Sequence, residues 1–124
     1  MENKKVTIIE DDPTLRKVLI EFFEADGLIA KGASDGEEGL KVIREFMPDV
    51  ILLDIILPKK DGYEVIKEIK SDEQIKNIPV ILLTNLGGLN DIEKALGLGA
   101  TTYLVKGDYQ VKEILEKVKE VLDI

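Results

Sequence analysis

The run Val50-Ile51-Leu52-Leu53 followed by Asp54 constrains this chain more than any other stretch. Four consecutive apolar residues between polar neighbours are too few for a helix. They read as a strand covered on both faces, the signature of a central strand in a parallel sheet. Alternation puts Asp54 on the same side as Leu52 and Val50. A carboxylate where a buried strand runs out is costly unless it caps a turn or serves a site. The cap or turn reading is the default for one isolated Asp, and only the rest of the chain decides against it.

Similar short runs recur between helical patterns. Val6–Ile9 reads as the first strand and ends in Glu10-Asp11-Asp12. Pro13 suits a first helical turn and Asp12 its cap. Leu15, Val18, Leu19, Phe22 and Phe23 then recur at helical spacing up to Gly27. Leu28–Ala33 is a weaker strand, expected nearer an edge. Ser34-Asp35-Gly36-Glu37 has the form of a capping box for a second helix, which ends before Pro48. After Asp54, Pro58 and Asp61-Gly62 mark a loop, and Tyr63, Val65, Ile66 and Ile69 a third helix. Pro79–Leu83 is a fourth strand, with Thr84 at its end. Gly87-Gly88 marks a mobile loop, and a modest helix through Ile92, Ala95 and Leu96 stops at Gly97. Ala100–Val105 is the fifth strand, with Lys106 at its end. Val111 to Leu122 carries the clearest amphipathic pattern.

Five strands alternating with five helices imply one α/β domain over residues 1–124. Its fold is a doubly wound, flavodoxin-like parallel sheet with helices on both faces. The favoured strand order is 2-1-3-4-5, which makes strands 1 and 3 neighbours.

Composition narrows the chemistry. The 124 residues include no Cys and no His, so thiolate sites, imidazole metal sites and Ser-His triads are excluded. The net charge of −8 disfavours direct contact with nucleic acid. There is no signal-peptide pattern and no membrane-length run, so a cytoplasmic protein with no membrane partner is expected.

In such folds ligands bind beyond the carboxyl ends of the strands. Asp11, Asp12, Asp54, Thr84 and Lys106 all end strands there, at unrelated separations that only the fold would collect. Three close carboxylates repel one another and call for a positive group. With oxygen donors alone, a hard cation such as Mg²⁺ fits, and Lys106 adds a second positive charge. A metal, an amine and a hydroxyl together suit a phosphoryl group, with Asp54 as nucleophile and Asp11 and Asp12 holding the metal.

As an ordered set, Glu10-Asp11-Asp12, Asp54, Pro58, Asp61-Gly62, Thr84, Gly99-Ala100, Tyr103 and Lys106 resemble a response-regulator receiver domain of the stand-alone, single-domain type. The resemblance covers essentially the whole chain. It implies that Asp54 accepts a phosphoryl group from a histidine kinase or phosphotransfer protein. It also implies that Asp12, Asp54 and the backbone carbonyl of Ile56 ligate Mg²⁺, with Asp11 acting mainly through water. Lys106 would pair with a phosphoryl oxygen, and Thr84 and Tyr103 would move as the switch. The face of the fourth helix, fifth strand and fifth helix would then change its preference for a downstream protein, as a monomer or as a phosphorylation-dependent dimer. Such a chain catalyses its own phosphorylation and dephosphorylation without a separate substrate.

Two positions depart from the family pattern. Gly107 replaces the usual Pro after the lysine, so a trans bond and a reshaped loop are expected. Asn85 replaces the usual small residue after Thr84. Apolar Ile56 and Leu86 flank the site and are expected to restrict water and lengthen the phosphorylated lifetime. The rival readings are a binding module of the same fold that is never phosphorylated, a Mg²⁺-dependent phosphatase with an Asp nucleophile, and a flavin binder. Pro13 and the missing cap domain count against the second, and the acidic triplet against the third.

Overall fold

A computed structural model describes residues 3–85, 89–107 and 110–124. Ten elements alternate along the chain. They are β1 (Lys5–Ile9), α1 (Pro13–Ala25), β2 (Ile29–Ala33), α2 (Gly36–Phe46), β3 (Val50–Leu53), α3 (Gly62–Ser71), β4 (Val80–Thr84), α4 (Leu89–Gly97), β5 (Thr102–Val105) and α5 (Val111–Leu122). All strand pairings are parallel and the order is β2-β1-β3-β4-β5, as expected.

The sheet separates two apolar layers. On one face Ile9, Ile51, Leu53 and Leu82 pack with Leu40 and Ile43 of α2, Ile66 and Ile69 of α3 and Ala95 of α4. On the other, Val6, Ile8, Leu52 and Ile81 pack with Leu19 and Phe23 of α1 and Ile114 and Val118 of α5. Both faces of β3 are therefore covered and all four of its residues are buried. Burying each contributes about 1.5–3 kcal/mol. Edge strand β2 leaves Ile29 exposed.

Two expected boundaries shift by a residue or two. The N-cap of α2 is Asp35, not Ser34: Glu38 N–H donates to Asp35 Oδ1 at 2.8 Å, and Glu38 Oε1 accepts from the N–H of Ser34, one residue before the cap, at 3.0 Å. β5 starts at Thr102 because Ala100 still belongs to the closure of α4. Its N–H donates to Ala95 O, and Gly99 takes a left-handed φ of 118°.

The loop after β3 is pinned at two glycines. A Cβ on Gly36 would lie 1.9 Å from Lys60 O, and one on Gly62 would lie 2.6 Å from Asp54 O. α2 and α3 thus begin hard against the segment that carries Asp54.

Candidate functional site

β1 and β3 run side by side, with Ile8 opposite Leu52 and Ile9 opposite Leu53. Extending that register by one brings Glu10 beside Asp54. Both are buried, at 1 % and 6 % exposure. Carboxylate oxygens of Glu10, Asp11 and Asp54 lie within 4.8 Å of one another.

Lys106 enters this group from the far edge of β5. Its Nζ lies 2.8 Å from Asp54 Oδ2 and 2.5 Å from Glu10 Oε1. Its own N–H donates to Thr84 O at 2.7 Å, so the end of β4 fixes the lysine backbone. Gly107 next to it has a left-handed φ of 91°, and no described peptide bond is cis. The reshaped loop still lets the ammonium reach Asp54. The other Asp54 oxygen, Oδ1, accepts from Ile56 N–H at 3.3 Å.

The electrostatics follow from burial and pairing. Burial pushes the Glu10 carboxyl up to about 7, against hydrogen bonds from Lys106 and from the Asp12 N–H that pull it down. Burial works to lower the Lys106 ammonium, but its bonds to Asp54 and Glu10 outweigh this and hold it above its ordinary value. Three carboxylates against one ammonium leave negative charge that a divalent cation would complete, and every donor is a hard oxygen.

Asp12 is the N-cap of α1 and also lines a cleft with Asp54. Its Oδ1 accepts from Thr14 N–H at 2.9 Å and Leu15 N–H at 3.3 Å. Pro13 at the first helical position fixes the helix start; both cap bonds fall on Asp12 Oδ1, while Glu10 and Asp11 bring carboxylate oxygens close to Asp54. Glu10 was not among the expected ligands. The signal that finds it is strand register: Ile9 and Leu53 end paired strands, so the acids following each are neighbours.

The remaining expected residues are distributed around this cluster. Glu10, Asp11, Asp12, Asp54, Ile56, Asn85 and Lys106 line a cleft of about 260 Å³. A larger depression of about 480 Å³ on α1 is lined by Pro13, Thr14, Lys17, Val18 and Glu21, without convergent charged groups from other strands. Thr84 is fully buried at the end of β4. Tyr103 stands outward on β5, 39 % exposed, away from the cleft. Leu86, Gly87 and Gly88 lie outside the described residues.

A doubly wound parallel α/β domain with an acid–lysine cleft over its central strand ends is thus defined. Comparison with known proteins places it. Residues 6–119 match the response regulator receiver domain, and the chain belongs to that family. It is 34 % identical to sporulation initiation phosphotransferase F of Bacillus subtilis over 124 residues, 100 % of this chain and 98 % of that protein. It is 41 % identical to a probable transcriptional regulator, ycf27, of Guillardia theta over 119 residues, 96 % of this chain and 45 % of that protein. The chain spans about half the length of several curated relatives it matches. Among solved structures it resembles the receiver domain of a sensor histidine kinase from Pseudomonas aeruginosa PAO1, with a TM-score of 0.88 and 25 % identity. That match covers 99 % of this chain and 100 % of that one, whose active-site cleft holds a coordinated magnesium ion. Among the described residues no helix is long and apolar enough to cross a membrane.

Proposed function

We propose that this receiver domain is a phosphorylation switch in which Asp54 accepts a phosphoryl group from a phosphohistidine on a histidine kinase or phosphotransfer protein. The observation that carries this reading is Asp54 itself, buried and held 2.8 Å from Lys106 within a cluster of three carboxylates.

The residues divide the work by position. Asp54 supplies the attacking carboxylate oxygen: an O–P bond forms, the N–P bond of the donor breaks, and the imidazole nitrogen keeps the electron pair and takes a proton. Lys106 is already on Asp54 Oδ2 and would offer its ammonium to a phosphoryl oxygen in the product. Thr84, at the end of the adjoining strand, supplies a hydroxyl. Asp12 and Asp54, with the Ile56 carbonyl and with Asp11 mainly through water, would hold Mg²⁺, which when bound supplies the positive charge that neutralises carboxylate and phosphoryl oxygens. Tyr103 starts outward, and its inward movement would re-shape the α4–β5–α5 face for a downstream protein. The transcriptional role named for the Guillardia relative is that protein's own, and the acidity of this chain argues against direct nucleic-acid contact by residues 1–124.

The test is incubation with acetyl phosphate or phosphoramidate, with and without Mg²⁺, followed by intact-mass measurement. One phosphoryl group is expected on the wild type only with the metal, and none on Asp54→Asn. A gain that survives Asp54→Asn, or that needs no divalent ion, would overturn the reading.

A further inference from the structure

The acidic triplet is braced by one half-buried side chain of α1. Arg16 Nη1 donates to the backbone carbonyl of Glu10 at 2.7 Å, while Arg16 N–H donates to Asp12 O at 3.0 Å. The side-chain bond holds the start of Glu10-Asp11-Asp12, while the N–H bond to Asp12 is the ordinary helical bond of the first turn and is made whatever residue stands at 16. The arginine stem passes over β2 at Gly32, where an added Cβ would lie 2.9 Å from Arg16 Cδ and 2.9 Å from Ile20 Cδ1. Glu10 is otherwise fixed by its N–H to Ala33 O at 3.0 Å, by Oε2 accepting from Asp12 N–H at 3.1 Å, and by Lys106. Asp11 lies between these anchors, exposed, and its own backbone has no comparable tie among the described contacts.

We infer that Arg16, seated in the gap left by Gly32, is a positioning residue for the cation site: it sets the path of the acidic triplet and so aims the Asp11 and Glu10 carboxylates at Asp54. The inference rests on the metal reading above. It makes a prediction opposite in sign to simple charge counting. Removing a cation near an acidic cluster would tighten Mg²⁺ binding by relieving repulsion. Losing the brace weakens it, because residues that orient ligands commonly change metal affinity by about 10–100-fold.

The experiment titrates Mg²⁺ into the wild type, Arg16→Met, Arg16→Lys and Gly32→Ala by calorimetry, and records the amide NMR shifts of Glu10, Asp11 and Asp12 without metal. Arg16→Met is expected to bind about tenfold more weakly, with those three amides displaced, and Arg16→Lys to recover part of the loss. Gly32→Ala keeps the charge but crowds the arginine stem, and is expected to weaken binding in the same direction. Should Arg16→Met fail to fold, Gly32→Ala and Arg16→Lys decide. Unchanged or tighter binding in Arg16→Met, or unmoved amides, would overturn the inference alone. A wild type that takes up no Mg²⁺ would overturn the metal reading and this inference together.

Discussion

Replacing Lys106 with Met tests the electrostatic balance of the cleft. The methionine keeps most of the stem and removes the ammonium that now sits 2.8 Å from Asp54 and 2.5 Å from Glu10. Breaking a buried ion pair from one side costs about 3–5 kcal/mol. The lysine side chain is 15 % exposed and the cleft opens to solvent, so solvent screening brings the cost to the bottom of that range or just below it, about 2–3 kcal/mol. For a domain this size that is a fall in Tm of about 6–12 °C. The sign with pH is also set. Burial raises the folded Glu10 pKa from 4.5 to about 7. Its stabilising contribution is therefore full below the unfolded pKa and lost as pH rises through the folded one. Without Lys106 the carboxylate is harder still to ionise. Both folded states keep that proton below about pH 7, so the stability gap between wild type and variant should stay level there and widen as pH rises through about 7. Mg²⁺ reverses the order of gain: with the competing ammonium gone, the ion binds about tenfold more tightly and raises the variant's Tm more than the wild type's. Thermal melts followed by circular dichroism at several pH values, with and without Mg²⁺, measure all three. A gap that narrows as pH rises, or an equal or smaller Mg²⁺ effect in the variant, would refute this account of the cleft.

Three further outcomes are expected elsewhere. Gly36→Ala should lose at least about 2 kcal/mol in urea titration, since its methyl would enter the Lys60 carbonyl; near-neutral stability would contradict the close approach. Thr7→Val should gain about 1 kcal/mol, because the Thr7 hydroxyl is fully buried with no hydrogen-bond partner among the described residues; a loss measured in the same titration would show the hydroxyl to be used. Ile56 is 59 % exposed at the rim beside Asp54, and Ile56→Asn should shorten the lifetime of the phosphorylated form by admitting water. An unchanged decay, followed by intact mass after desalting, would count against that role.

Most of the fold was legible because its strands are continuous apolar runs and its helices carry stripes of the right period. β3 could be found from four residues, and helices on both faces from the rule that parallel crossovers share one hand; the strand order came from the known doubly wound pattern that the family shares. Lys106 and Thr84 were legible as strand-ending polar residues, and Asp11 and Asp54 as strand-ending acids. Glu10 was not legible as a member of the cluster, because spacing alone does not tell three consecutive acids apart. What sets it beside Asp54 is tertiary: the register of β1 on β3. The same one-residue ambiguity placed the α2 box on Ser34, where the helix starts from Asp35. Arg16 left no signal at all, since an arginine on an amphipathic helix reads as solvated until Gly32 is seen to make room for it.

The most direct measurement is to find where the phosphoryl group goes. The wild-type protein, phosphorylated with acetyl phosphate and Mg²⁺, is treated with borohydride, which reduces an acyl phosphate to homoserine, and its peptides are sequenced by mass spectrometry. Homoserine at position 54 and nowhere else is expected; label on Asp11, on Asp12 or on a non-carboxylate residue would contradict the assignment of Asp54 as acceptor.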